Sequence, residues 1–308
     1  MQGGATLKGN FGIESNYANR AESGNSIDVM LEAERIETAF YFGLGSESTF
    51  NSSLWEDGFY DYSRWYILAH IMHGISLKPY SSEKNRFILS YGYQFEYMSA
   101  DYSTSNNLGQ NPPHYQVNGW SNSFTAGLRL DKRDNEFRPS SGYYLRSKIT
   151  LAPGVISNSN AHAKFFTEFN WYTSFHLFRE IVFASRLRTI QAIGDTPLFA
   201  LPYLGGQYDV RGYPLERFRD KGATSYNLEL RTWLFSLPFW EINIGGQLFA
   251  DGGWVYTDLS EIKPLDGHKW SLGFGGICNV FNPDFLVRTD FGFSDETWRM
   301  TIGLGYLF

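Results

Sequence analysis

Apolar and polar residues alternate with a period of two through most of this chain, and the alternating runs are long. Across residues 298–308, Trp298, Met300, Ile302, Leu304, Tyr306 and Phe308 share one face, while Arg299, Thr301, Gly303, Gly305 and Leu307 share the other. Residues 285–294 set Phe285, Val287, Thr289, Phe291 and Phe293 against Arg288, Asp290, Gly292 and Ser294. Residues 87–97 do the same with Phe87, Leu89, Tyr91, Tyr93, Phe95 and Tyr97 opposite Ser90, Gly92, Gln94 and Glu96. Period two is the signature of a strand whose faces meet different surroundings. Runs of ten or more residues exceed the usual globular strand and suit a tilted strand crossing a bilayer.

Fourteen such segments are expected, at 5–15, 26–36, 38–48, 64–78, 86–98, 120–130, 143–152, 163–177, 181–192, 223–235, 239–256, 269–281, 285–294 and 298–308. Short connections near Phe178-Arg179-Glu180, Ser236-Leu237-Pro238 and Asn282-Pro283-Asp284 alternate with long ones at 99–119, 193–222 and 257–268. Short periplasmic turns against longer outer loops are the pattern of a transmembrane antiparallel β-barrel, which in bacteria has an even strand count. The fold expected is therefore all-β, with residues 1–308 as one outer-membrane barrel domain in contact with outer-membrane lipid.

Composition agrees and narrows the class. Aromatic residues make up 18% of the chain, with 31 Gly, yet the mean hydropathy is only −0.32. The longest apolar stretch, residues 65–77, lies between Arg64 and Lys78 and is too short to span as a helix. A single cysteine, Cys278, cannot form an internal disulfide framework. The net charge of −6, with no basic block, argues against nucleic acid as a partner. Met1-Gln2-Gly3-Gly4 has neither the basic start nor the apolar run of a secretory leader, so the expectation is that one was removed or that the natural chain starts elsewhere.

Three motifs give the chain a resemblance. Residues 204–222 contain Val210-Arg211-Gly212-Tyr213; a following strand carries Phe249, Asp251 and Gly253; and an earlier turn carries Asp131, Arg133 and Asp134 with Pro139 and Gly142. With the aromatic Phe308, these features resemble the bacterial surface antigen superfamily of outer-membrane assembly and translocation barrels, which includes BamA, TamA and the two-partner-secretion transporters. The resemblance covers roughly the C-terminal 180 residues. It implies sixteen strands rather than fourteen, a loop folded back into the lumen, and a weak lateral seam between the first and last strands. It also implies that Arg211 contacts Asp251, with Glu229 as a second possible acceptor. From the residues alone, Arg211 could equally be a solvated loop charge. Alternation places Glu229 and Arg231 on the same face as Asp251, and a guanidinium suits a bidentate carboxylate contact. The turn motif is read as structural. Gly303 and Gly305 would weaken packing at the seam, and Tyr306 and Phe308 would close a lipid-facing strand that doubles as an assembly signal.

The function expected is assistance to insertion of unfolded outer-membrane proteins, or translocation of a secreted passenger. The POTRA domains usual in the family have no counterpart here, so the chain is expected to be trimmed or a short variant. The alternatives are a passive diffusion pore and a translocator for a patatin-like passenger. No enzyme is expected: there is no Gly-x-Ser-x-Gly elbow, and His70 and His73 point to opposite faces of one strand. No metal or cofactor is expected either.

Overall fold

The computed structural model describes all residues except 1, 6–10, 21–24, 78–85, 159, 238–241, 259, 261–265 and 281–284. Its strands are β1 (Gln2–Ala5), β2 (Phe11–Arg20), β3 (Ser26–Phe40), β4 (Asp61–Ser76), β5 (Arg86–Asp101), β6 (Gly119–Asp131), β7 (Gly142–Ala152) and β8 (His162–His176). These are followed by β9 (Glu180–Gly194), β10 (Tyr203–Leu204), β11 (Phe218–Arg219), β12 (Gly222–Leu237), β13 (Ile242–Tyr256), β14 (Lys269–Val280), β15 (Leu286–Phe293) and β16 (Trp298–Leu304). Fourteen of them form one antiparallel sheet in chain order, while β10 and β11 pair separately within the β9–β12 connection. The sheet is not closed, and β1 and β16 are its edge strands.

The register shows why the sequence alternates. Phe183, Leu230, Leu248, Phe274 and Phe291 lie side by side across β9, β12, β13, β14 and β15. One residue along, Arg231, Gln247, Gly275 and Asp290 form the neighbouring row on the opposite face. The first row is exposed at Leu230, Leu248 and Phe274, with Leu248 at 61%, and half-buried at Phe183 and Phe291, while the second holds buried charge and amide. A sheet with its large apolar side chains outward and its polar ones inward is built for lipid outside and a polar lumen inside.

The count of fourteen matches the expectation, but three segments differ. Residues 38–48 are not a strand of their own. β3 runs on to Phe40, and residues 41–60 form a connection containing the short helix α1 (Ser52–Glu56), capped by Asn51. The apolar positions there serve a loop cluster in which Phe42, Phe50, Trp55 and Tyr60 stack. Of the segment 5–15, Ala5 ends β1 and residues 11–15 open β2, and 6–10 lie outside the described residues. The last strand stops at Leu304, four residues short of the expected end at Phe308.

Leu248→Arg would set a charge among lipid-facing side chains in mid-strand. The expected loss is about 2–4 kcal/mol of folding stability in phospholipid vesicles, read from urea-titrated tryptophan fluorescence.

Candidate functional site

The connection between β9 and β12 doubles back along the polar face of the sheet. Val210 packs in a fully buried cluster with Leu204, Tyr213 and Phe218. Arg211 follows with no side-chain exposure. Its Nε and Nη2 donate to the two oxygens of Asp251 on β13, each at 2.8 Å, and its main-chain N–H donates to the same carboxylate at 3.2 Å. Nη1 lies 2.7 Å from Glu229 on β12 and 3.3 Å from Asp290 on β15. The Glu229 contact is a close ion pair out of hydrogen-bond alignment. Below the guanidinium lies the ring of Phe249, its centroid 3.4 Å from Cζ. A planar cation is thus forked by one carboxylate, flanked by two more and seated on an aromatic face.

The structure therefore brings Arg211, Asp251, Glu229 and Phe249 together. Asp290 joins them as a third acid, which the sequence marked only as a polar-face carboxylate. Gly253 sits opposite Ser225 in the β12–β13 register. Gly212 passes against bare backbone: a Cβ there would stand 2.7 Å from Ser271 Cβ and 2.8 Å from the Phe293 carbonyl carbon. A Cβ on Gly292 would in turn meet the Gly212 nitrogen at 2.9 Å. Two glycines facing each other let the loop backbone reach the wall.

Both flanks of this loop are clasped, and sequence reading missed the clasps. On one flank, Gly212 O accepts from Ser294 Oγ at 3.0 Å and Thr297 Oγ1 at 2.7 Å, and Tyr213 donates to Asp295 at 2.5 Å. Arg217, fully buried, forks Glu296 at 2.6 and 2.7 Å. On the other flank, Arg217 also donates to Ser48 Oγ at 2.8 Å and sits over Phe42. Glu216 pairs with Arg64 at 3.2 Å and with Arg219 at 2.5 Å. The loop thus joins the β3–β4 connection to the β15–β16 hairpin. Only the assignment of residues 38–48 to a loop would have exposed Ser48 and Phe42 as partners.

The turn motif lies at the other end of the strands. Asp131 accepts from Arg133 at 2.8 and 2.9 Å and from Arg129 at 3.1 Å. Burial alone would raise the Asp134 carboxyl, but the Ser140 hydroxyl and the backbone N–H groups of Ser140, Ser141 and Asn135 outweigh it and hold it below the usual aspartate range. Pro139 lies within this turn, and Gly142 opens β7 at φ +100°.

Gly303 lies in β16 beside the Arg288 guanidinium, but Gly305 lies beyond the strand. The expected lipid-facing placement of Tyr306 and Phe308 is corrected. At Gly305, φ is +76°, a value that favours glycine, and the chain turns off the sheet there. Tyr306 and Phe308 then lie against Arg231, with Phe308 also against Arg186, both on the polar face. Among the described residues no group of three His, Cys, Asp or Glu could hold a metal.

A family model described as the Omp85 superfamily domain matches residues 38–308. The chain belongs to the Omp85 superfamily. That superfamily of outer-membrane barrels places it in the bacterial outer membrane. No curated protein matches the sequence. Three solved structures share the fold. BamA from Haemophilus ducreyi lacking POTRA domains 1–3 is 14% identical, with a TM-score of 0.59 over 96% of this chain and 60% of that one. CdiB from Escherichia coli is 13% identical, with 0.67 over 98% and 54%. CdiB from Acinetobacter baumannii is 14% identical, with 0.60 over 96% and 50%. The Omp85 chain described here therefore spans between half and three-fifths of the length of those structures.

Two predictions follow from these contacts. Arg211→Ala would take the fork from Asp251 and leave three buried carboxylates with only Arg231 and Arg288 paired to them, at an expected cost of about 3–5 kcal/mol. Arg211→Lys should recover only part of it, because an ammonium cannot fork Asp251; urea midpoints and the heat-modified gel mobility report both. Burial alone would raise Glu216, but Arg219 and Arg64 outweigh it and hold its carboxyl below the ordinary 4.5. A carboxyl depressed on folding contributes stability that is complete above its unfolded value and lost as pH falls through the folded one. Protease cleavage within residues 205–219 should therefore rise only below pH 4.5, and Glu216→Gln should raise it at neutral pH and flatten the acid dependence.

Proposed function

We propose that this barrel assists the assembly of outer-membrane proteins or the translocation of a protein across the outer membrane, with residues 204–222 docked in the lumen and a seam between β1 and β16. The observation that carries the reading is Arg211, wholly buried on the polar face between carboxylates of β12, β13 and β15. A passive pore gains nothing from filling its lumen with a loop held this firmly, whereas a barrel that must open along one side needs an internal brace for the rest of its wall.

The edges support the same reading. β15 and β16 have 8 and 7 residues, against 15 and 16 for β13 and β12. A short, unpaired edge leaves N–H and C=O groups that lipid cannot satisfy. An incoming strand of a client can satisfy them by extending the sheet. The clients that fit are an unfolded outer-membrane protein or a secreted passenger.

The test is folding of a urea-unfolded outer-membrane barrel protein into proteoliposomes. The wild type should accelerate it several-fold over empty liposomes, and Arg211→Ala with native gel mobility should lose the gain. A reducible disulfide between β1 and β16 should block acceleration until reductant is added. No acceleration together with high solute flux would overturn the reading in favour of a pore.

A further inference from the structure

The segment after Gly305 crosses from an edge strand to the middle of the sheet. Gly305 N–H still donates to Leu286 O at 2.7 Å, as the last ladder bond of the hairpin. Beyond it, Tyr306 and Phe308 reach side chains of β8, β9 and β12. Arg231 Cζ lies 4.1 Å from the Tyr306 ring centroid and 4.9 Å from that of Phe308. Arg186 Cζ lies 5.2 Å from the Phe308 centroid, and the Tyr172 ring 6.2 Å. One main-chain hydrogen bond, from Arg231 Nη2 to Phe308 O at 3.1 Å, completes the seat.

We propose that Tyr172, Arg186 and Arg231 form a receptor site for a short aromatic peptide segment, and that the chain's own Tyr306-Leu307-Phe308 is its resident and displaceable occupant. The site is built without its guest. Arg231 is fixed by Glu229 at 2.7 Å, and Arg186 by Asn227 Oδ1 at 2.8 and 3.0 Å and by the Tyr208 carbonyl. The guest brings only two rings and one carbonyl oxygen, so any segment of that chemistry can replace it. Room for exchange is present. Tyr306 and Arg231 border a cleft that Arg138, Pro139, Val182 and Trp233 help to line. Arg138 Nε and Arg231 Nη1 are buried there with no hydrogen-bond partner, two donors available to an occupant with more polar groups. Gly305, where an added Cβ would touch nothing, is the hinge. When the segment leaves, residues 305–308 are free to lengthen β16 along the open edge. This inference does not depend on whether the barrel assembles or translocates proteins.

The test uses the full chain in proteoliposomes with Cys278→Ser, carrying spin labels at Leu307→Cys and Ser185→Cys. The wild-type contacts should give one short, narrow distance distribution. Tyr306→Ser with Phe308→Ser removes only the guest's rings and leaves the wall intact. It should raise the long-distance fraction about tenfold, and Arg231→Ala should do likewise. The peptide Gly-Leu-Gly-Tyr-Leu-Phe, added in excess, should displace the resident segment, while Gly-Leu-Gly-Ser-Leu-Ser should not. An unchanged distance in the double-serine variant would overturn the seat. Failure of the aromatic peptide to move the label, or equal displacement by both peptides, would overturn the receptor site.

Discussion

Buried charge must be balanced, and on the polar face of this sheet three strands carry more buried anions than paired cations. β12, β13 and β15 contribute Glu229, Asp251 and Asp290 to one solvent-free cluster, but only Arg231 and Arg288 as cations. Three anions against two cations leave one uncompensated negative charge with side-chain exposures of 4% or less. Arg211 supplies the missing positive charge from the loop. An unpaired charge in such surroundings costs several kcal/mol, far more than a well-made pair contributes beyond an apolar equivalent. The loop is therefore not a decoration resting in a finished barrel. Arg211 completes the balance on these three strands, beside Arg186 of β9, which holds Asn227 and through it Asp251.

From that anchor the loop reaches both ends of the sheet. Arg217 and Tyr213 hold the connection between β15 and β16, while Ser48 and Arg64 tie the other flank to the first long connection and to β4. A sheet whose outer strands are unpaired would ordinarily depend on lipid and neighbouring strands to hold its edge hairpins. Here the last hairpin is secured from the polar face, while among the described residues the outer edge of β16 has no hydrogen-bonded neighbour in the sheet.

How far this was legible depended on whether the information was periodic, patterned or neither. The strands from β4 onward were readable because a membrane imposes one solvent on each face, so Leu248 and Asp251 announce opposite sides. Arg211 and Asp251 were readable only through a motif shared with a family; nothing in their spacing of forty residues links them. Asp290 was visible as a polar-face carboxylate, but its distance from Arg211 depends on strand tilt and register. Residues 38–48 misled because Tyr41 and Phe42 are buried in a loop core beside Ala39 at the end of β3, where apolar residues cluster without facing lipid. Tyr306 and Phe308 misled for the opposite reason: their alternation continues that of β16, but the positive φ of Gly305 breaks the strand, and rings can satisfy a guanidinium as well as a lipid tail.

The loop and the end segment meet on the polar face at one side chain. Glu229 gives Oε1 to Arg211 and Oε2 to Arg231, so the loop from the outer side and the segment from the periplasmic side rest on the same carboxylate. Arg231 in turn holds Phe308. If the loop withdraws, Glu229 loses one of its two cations and its remaining attraction concentrates on Arg231, drawing that guanidinium away from the rings it faces. Both occupants therefore rest on the same two groups. A single buried glutamate thereby stands between the cation that the loop supplies and the cation that the end segment rests on.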